Sequence, residues 1–108
     1  MELSYSDLSE EAHELILYCE NDPSLYRQEQ MIEANLDKHL AKGRFDATLA
    51  AKAFRHEVDA GARMYQKEYG SGSRRSDQVF SVKHRQEAAE FMAKAYIIKR
   101  APSGMRSR

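Results

Sequence analysis

The sequence predicts an all-α fold, a compact four-helix domain, and three observations lead to this prediction. Apolar residues recur at steps of three and four, as they do on the buried face of a helix. Helix-capping residues, prolines and glycines bound the segments that have this spacing. The 108 residues, 42% hydrophobic and 31% charged, suffice for one core but not two. The predicted helices cover about residues 7–21, 23–42, 46–69 and 81–100.

The third helix is the predicted centre of the domain. Asp46 can accept a hydrogen bond from the first free backbone amides, and Gly70 can adopt the left-handed conformation that ends a helix. Several alanines lie on its apolar stripe, so a partner helix can approach closely. The stripe consists of Ala47, Ala50, Ala51, Phe54, Val58, Ala62, Tyr65 and Tyr69.

The first two helices are separated by a strong break. Ser6 or Ser9 can cap the first helix, and Asp22 can cap a second helix that begins at Pro23. Gly43 ends the second helix, and the short link to the third predicts an antiparallel hairpin. The expected inward residues are Leu8, Ala12, Leu15, Ile16 and Cys19 on the first helix, and Leu25, Ile32, Leu36 and Leu40 on the second.

A polar loop and the fourth helix complete the predicted domain. Residues 70–78 contain no apolar side chain and are expected to form a mobile loop. Ser81 can cap the fourth helix, and Pro102 ends it. The predicted division is one helical domain over residues 1–100 and a basic flexible tail over 101–108. The fourth helix is expected to bury Ala88, Phe91, Met92, Ala95 and Ile98.

Charge is distributed unevenly along the chain although its net value is zero. Residues 1–22 carry seven acids and no Lys or Arg, whereas residues 70–108 carry nine bases against three acids, a difference of six. In one explanation the acidic first helix lies beside the basic last helix and the two neutralise each other. In the other, a basic surface faces an anionic partner.

Cysteine content and hydropathy indicate a cytoplasmic protein with no membrane segment. Cys19 is the single cysteine, which excludes an intramolecular disulfide and favours a reducing compartment. Its place on the apolar side of its helix suits a small buried hydrophobe. No run approaches the roughly 18 apolar residues of a membrane span, and the acidic N-terminus does not resemble a signal peptide.

No catalytic, cofactor-binding or metal-binding residue is predicted. Glu10 and His13 form a single Glu-x-x-His pair, whereas a di-iron site in a helical bundle needs two. No glycine cluster follows a strand, and the cysteine and four histidines show no arrangement for nucleophilic catalysis. A small enzyme is the third alternative, which a pocket lined by titratable residues would favour.

The favoured function is a small non-enzymatic protein that acts through protein–protein contacts. The candidate contact residues are Leu17, Tyr18 and Tyr26. Leu17 and Tyr18 widen the apolar stripe of the first helix, and Tyr18 and Tyr26 flank the break at Pro23. Tyrosine supplies rigid contact area at interfaces. The expected partner is a host protein or a second copy of the chain in a homodimer.

The second alternative is a nucleic-acid-associated protein. Mobile arginines can contact phosphates without reading sequence. However, the chain lacks the short turn and basic recognition face of a helix-turn-helix, and its net charge is zero. The candidate residues are Arg74 and Arg75 in the loop, Lys99 and Arg100 at the end of the fourth helix, and Arg106 and Arg108 in the tail.

A group of motifs from Tyr18 onward resembles a family pattern. YCENDPSLYRQ, NLDKHLAKGRFD and GARMYQKEYG occur in this order, and FSVKHRQEAA follows. The pattern resembles a group of small proteins of bacteria, phages and other mobile elements with no known activity. The similarity covers residues 14–98, and its motifs mark helix ends and turns. It implies one compact domain and a phage or mobile-element origin, and it does not explain the basic tail.

Overall fold

The computed structural model describes residues 8–69 and 80–100. These residues form four α-helices and contain no strand, which confirms the predicted all-α, four-helix domain. The predicted loop 70–78, Gly70, the tail 101–108 and the candidate cap Ser6 lie outside the described residues. The helices are α1 (Glu10–Asn21), α2 (Pro23–Ala41), α3 (Ala47–Tyr69) and α4 (Val82–Arg100).

Each helix begins at a side-chain cap. The side chains of Ser9, Asp22, Asp46 and Ser81 each accept a hydrogen bond from the backbone N–H three residues later, at 2.8–3.3 Å. These bonds satisfy amides that have no partner within the first helical turn. Because Ser9 is the cap of α1, this helix begins at Glu10 and not at residue 7 as predicted.

The connection between α2 and α3 is the predicted tight turn. Gly43 has a φ of +68°, a left-handed conformation that is strained for other residues. Its N–H donates to Leu40 O, and Arg44 N–H donates to His39 O. These bonds satisfy the last carbonyl groups of α2 and fix the hairpin.

α3 packs against each of the other three helices and most extensively against α4. It approaches α1 closely at Gly61, where a Cβ atom would lie 2.6 Å from Cys19 Sγ. The sequence stripe of α3 suggested that alanines permit such an approach, but here it depends on a glycine. The buried apolar residues are Ala12, Leu15, Ile16, Cys19, Leu25, Leu36, Ala50, Phe54, Val58, Ala62, Tyr65, Phe80, Ala88, Ala89, Phe91, Met92, Ala93 and Tyr96.

α2 is the least buried helix. Only Leu25 and Leu36 on it are fully buried, and Ile32 is partly buried. The prediction that Leu40 faces inward is wrong, since Leu40 is exposed near the end of the helix. Ala47, at the first position of α3, is also exposed and not part of the buried stripe. With so few apolar contacts, the position of α2 depends more on its polar contacts.

No helix within residues 8–69 and 80–100 is both long enough and apolar enough to cross a membrane.

Candidate functional site

A pocket of about 140 Å³ lies where α2 faces α4, and all four helices contribute to it. Its apolar floor and its charged lining come from different residues. The apolar residues are Ile16, Phe54, Phe91, Met92, Ala95 and Tyr96. The charged residues are Glu20, Glu29, Glu33 and Lys99. We call this the α2–α4 pocket.

Helical spacing places the charged residues around the pocket. Glu29 and Glu33 are one turn apart on α2, so they lie on the same face of the helix. Glu20 lies in the last turn of α1, and Lys99 lies in the last turn of α4. Three acidic residues and one lysine therefore line the same pocket.

Glu57 of α3 is fully buried behind the pocket, with a relative exposure of 0%. It lies three residues after the pocket residue Phe54, and its carboxyl group lies within hydrogen-bonding reach of the Glu29 carboxyl group. Neither oxygen of Glu57 receives a hydrogen bond from a described N–H or hydroxyl donor, and neither does Glu29 Oε1. A hydrogen bond between two carboxyl groups requires a proton on one of them.

Burial determines which of the two carboxyl groups holds that proton. Burial raises the pKa of Glu57 to about 9, and the negative charge of Glu29 adds to the effect. Burial also raises the pKa of Glu29, and the negative charge of Glu33 raises it further. Hydrogen bonding to Glu57 acts in the opposite direction and lowers it. At neutral pH, Glu57 is therefore the neutral donor and Glu29 is the acceptor.

Polar contacts join α2 to α4 at one side of the pocket. The Arg100 Nε donates to Asp37 Oδ1 at 2.7 Å, and the Tyr96 hydroxyl donates to the same oxygen at 2.5 Å. Lys99 Nζ and Arg100 Nη2 lie 3.3 and 3.4 Å from Glu33 Oε1. Arg100 also lies over the Tyr96 ring, 5.0 Å from its centroid. We call Glu33, Asp37, Tyr96, Lys99 and Arg100 the α2–α4 ion-pair cluster.

The pKa shifts in this cluster follow from these contacts. The hydrogen bond from Arg100 lowers the pKa of Asp37, and the bond from Tyr96 adds to this. Burial, together with the hydrogen bond to Asp37, raises the pKa of Tyr96 to about 12. Asp37 is thus ionised and Tyr96 is protonated throughout the physiological range.

The ion-pair cluster changes the explanation of the charge asymmetry. α1 does lie against α4, and His84 Nε2 is 3.7 Å from Glu11 Oε1. The basic end of α4, however, pairs with Glu33 and Asp37 of α2, so the prediction that the first helix neutralises it is wrong for Lys99 and Arg100. The reason is that the end of α4 lies beside the middle of α2.

Two of the predicted protein-contact residues lie next to the pocket. Tyr26 is 49% exposed and precedes Glu29 by three residues on α2. Leu17 is 43% exposed and precedes Glu20 by three residues on α1. Residues three apart on a helix are neighbours. Leu17 and Tyr26 therefore flank the carboxylates that line the pocket.

Tyr18, the third predicted contact residue, packs elsewhere. Its ring meets the ring of Tyr65 edge to face, with centroids 5.3 Å apart. Its hydroxyl donates to Glu68 Oε1 at 2.8 Å. Tyr18 thus joins α1 to α3 and is not grouped with Leu17 and Tyr26.

The predicted nucleic-acid residues are only partly described. Lys99 and Arg100 contact carboxylates of α2, as given above. Arg74, Arg75, Arg106 and Arg108 lie outside the described residues. The described basic candidates are therefore bound within the protein's own ion-pair cluster.

The buried glutamate is the site residue that sequence reasoning missed. Glu57 lies between Phe54 and Val58 on the stripe of α3 that faces the core. An acidic residue on an otherwise apolar helix face is a signal for a buried, partnered carboxyl group. Its partner Glu29, on another helix, carries no comparable local signal.

Among the described residues, no group of three or more His, Cys, Asp and Glu side chains could hold a metal ion. Comparison of the chain with protein-family models, curated proteins and solved structures finds no match. The candidate site therefore depends on geometry alone.

Proposed function

We propose that this protein is a small non-enzymatic binding protein that acts through contacts with another protein, and that the α2–α4 pocket receives one side chain of that partner. The size and lining of the pocket carry the proposal. Its volume of about 140 Å³ is well below the roughly 300–1,000 Å³ of most small-molecule sites. It suits a single side chain, since a cavity of about 150 Å³ holds one benzene molecule.

The surroundings of the pocket support the same function. A few side chains that fill pockets supply most of the binding energy of a protein interface, and nearby contacts exclude water. Leu17 and Tyr26 offer exposed apolar area beside the pocket carboxylates. This arrangement provides an anchor site with contact residues at its edge.

Nucleic-acid binding is the alternative, and the described structure gives it less support. Arg100 donates to Asp37, and both Arg100 and Lys99 lie within ion-pair distance of Glu33. These bases are thus already neutralised by carboxylates. The alternative then depends on Arg74, Arg75, Arg106 and Arg108, which lie outside the described residues.

The Glu29–Glu57 pair is the feature that favours the enzyme alternative, because two neighbouring carboxyl groups with different pKa values can serve acid–base catalysis. Glu57, however, is fully buried and does not line the pocket. The described residues that do line it include no Ser, Thr, Cys or His. We therefore favour a structural and electrostatic role for the pair.

The resemblance to small proteins of phages and mobile elements extends the proposal to an accessory or inhibitory protein of that kind. This extension depends on the quoted motifs alone. It makes a bacterial lysate the appropriate source of partners.

Affinity capture from a bacterial lysate, with and without nuclease treatment, tests the proposed function. We expect one protein to be recovered in stoichiometric amount, to survive nuclease and to be lost with Tyr26→Ala. Met31→Ala is the matched control, because Met31 is 71% exposed on the same helix and does not line the pocket. Sedimentation of the purified protein tests for a homodimer.

Two results would contradict the proposal. Recovery dominated by nucleic acid and lost after nuclease would instead support the basic residues outside the described ranges. If Tyr26→Ala and Met31→Ala reduced the recovery of the partner protein equally, the contact surface would not be at the pocket.

A further inference from the structure

We propose that the α2–α4 pocket binds an alkylammonium group, the chemistry shared by a lysine side chain of a partner protein and a free primary amine. For the lysine source, this inference rests on the proposed function. For the free amine it stands independently.

The charge of the pocket favours a cation. Glu20, Glu29 and Glu33 line it, against one cation, Lys99. Lys99 is itself 61% exposed at its side chain, so solvent screens much of its charge. Glu33 already pairs with Lys99 and Arg100, so a second ammonium group would balance Glu20 and Glu29.

The buried carboxyl behind the pocket supplies an independent reason. Glu57 is fully buried, and its carboxyl group lies close enough to Glu29, Glu20 and Glu33 for their charges to raise its pKa. Neither it nor Glu29 Oε1 receives a hydrogen bond from a described N–H or hydroxyl group. Of these two residues, Glu29 lines the pocket. Leaving its buried Oε1 without a donor is costly, and an ammonium group brings three N–H donors.

The floor of the pocket suits the carbon chain of such a ligand. Ile16, Phe54, Phe91 and Met92 form an apolar surface beneath the carboxylates. A butyl chain would lie against these side chains while its ammonium group met the glutamates, in the way that lysine buries its own stem and keeps its charge at a polar edge.

Lys99 shows that Glu33, one of the pocket carboxylates, accepts an ammonium group. Its Nζ lies 3.3 Å from Glu33 Oε1 at the edge of the pocket. It therefore competes with an incoming cation for Glu33. Removing its charge should strengthen binding.

An NMR titration of the amide resonances with n-butylammonium chloride, at constant ionic strength, tests the inference. We expect saturable shifts at Glu29, Glu33, Met92 and Ala95, and no such shifts with n-butanol, the neutral molecule of similar shape. Absence of saturable shifts, or equal shifts with n-butanol, would overturn the inference.

Two sets of variants locate the binding. Glu29→Gln keeps the side-chain shape but removes the charge, and we expect roughly tenfold weaker binding. Glu20→Gln, at an exposed residue, gives a second test in which loss of folding is not expected. Binding unchanged in both variants would contradict the proposed position of the ammonium group.

Lys99→Ala should strengthen binding by up to about fivefold. Lys94→Ala makes the same charge change at an exposed residue of α4 that does not line the pocket, and it should leave binding unchanged. Equal effects of the two variants would indicate a general charge effect and would contradict the inference.

Two further ligands distinguish the sources. Tighter binding of lysine blocked at both its amino and carboxyl groups indicates a partner's side chain, and tighter binding of cadaverine indicates a free amine. Norleucine blocked in the same way lacks the side-chain ammonium group. If it bound as tightly as these two ligands, the ammonium group would not be what the pocket recognises. Because the titration needs no partner, its failure is separate from a failure of lysate capture.

Discussion

The carboxyl groups of Glu57 on α3 and Glu29 on α2 lie within hydrogen-bonding reach of each other behind the α2–α4 pocket. The pair joins α2, which fully buries only two apolar residues, to the central helix. Burial raises the pKa of Glu57 to about 9. The attachment of α2 is therefore linked to protonation.

Stability should fall as the pH rises. The pKa of Glu57 is about 9 in the folded protein against an ordinary value of about 4.5, so the folded state binds more protons between these values. The contribution of protonated Glu57 to the free energy of unfolding is complete below about pH 4.5 and is lost as the pH rises through about 9. At the alkaline end of this pH range, near pH 9, we expect Glu57→Gln to be more stable than the natural chain by about 1–3 kcal/mol. Urea unfolding across this pH range measures the difference.

Glu90→Gln is the control for this prediction, because Glu90 is exposed on α4. Its difference from the natural chain should vary little with pH. If the Glu57→Gln difference were equally independent of pH, Glu57 would not hold a proton in the folded state.

Gly61→Ala should destabilise the protein through contact with Cys19. A Cβ atom at Gly61 would lie 2.6 Å from Cys19 Sγ, and overpacking of this kind costs about 1–3 kcal/mol. Cys19→Ala removes the sulfur, so the double variant should lose less stability than the sum of the two single variants. Thermal unfolding of the four proteins measures this coupling, and strict additivity would exclude the contact.

Gly43→Ala should destabilise the protein for another reason. No atom lies within 4 Å of a Cβ atom there, but Gly43 has a φ of +68°, which costs other residues about 1–2 kcal/mol. Gly43→Asn should cost less, because asparagine tolerates this conformation better. Equal losses for alanine and asparagine in chemical unfolding would argue against a backbone cause.

Tyr96→Phe should destabilise the protein by about 1 kcal/mol, because it removes the hydrogen bond to Asp37 and keeps the buried ring. Tyr26→Phe removes a hydroxyl from a half-exposed ring on α2 and should have little effect. Urea unfolding at neutral pH compares the two variants. A loss no larger for Tyr96→Phe than for Tyr26→Phe would show that the bond to Asp37 adds nothing to stability.

The thiol of Cys19 should react slowly in the folded protein. Cys19 is buried, and this burial raises the pKa of its thiol, so the reactive thiolate is scarce. Alkylation should accelerate on addition of urea in parallel with unfolding. Rapid alkylation without urea would contradict the burial of Cys19 in the α1–α3 contact.

The helices could be predicted from the sequence because their signals are local. Ser9, Asp22, Asp46 and Ser81 are caps that act within three residues. Apolar spacing identified most of the buried stripes in the same way. Leu40 was wrongly placed because spacing gives a helix face but not the length over which a partner covers it.

The site could be predicted only in part because its contacts are distant in sequence. Leu17 was identified as a contact residue because it widens the apolar stripe of α1, and Tyr26 because it flanks the break at Pro23. Their role as contact residues stays a prediction. The partners of Arg100 on α2 lie more than 60 residues away in the chain. No local pattern indicates which helix receives such a charge.

Carbon-13 NMR of the glutamate side-chain carboxyl groups, followed from about pH 4 to about pH 10, tests the protonation of Glu57 most directly. We expect one carboxyl resonance, absent from Glu57→Gln, to keep the shift of a neutral acid at neutral pH and to titrate near pH 9. If every glutamate resonance titrated near its ordinary pKa, Glu57 would be ionised in the folded protein, and the account of the α2–α4 pocket would be contradicted.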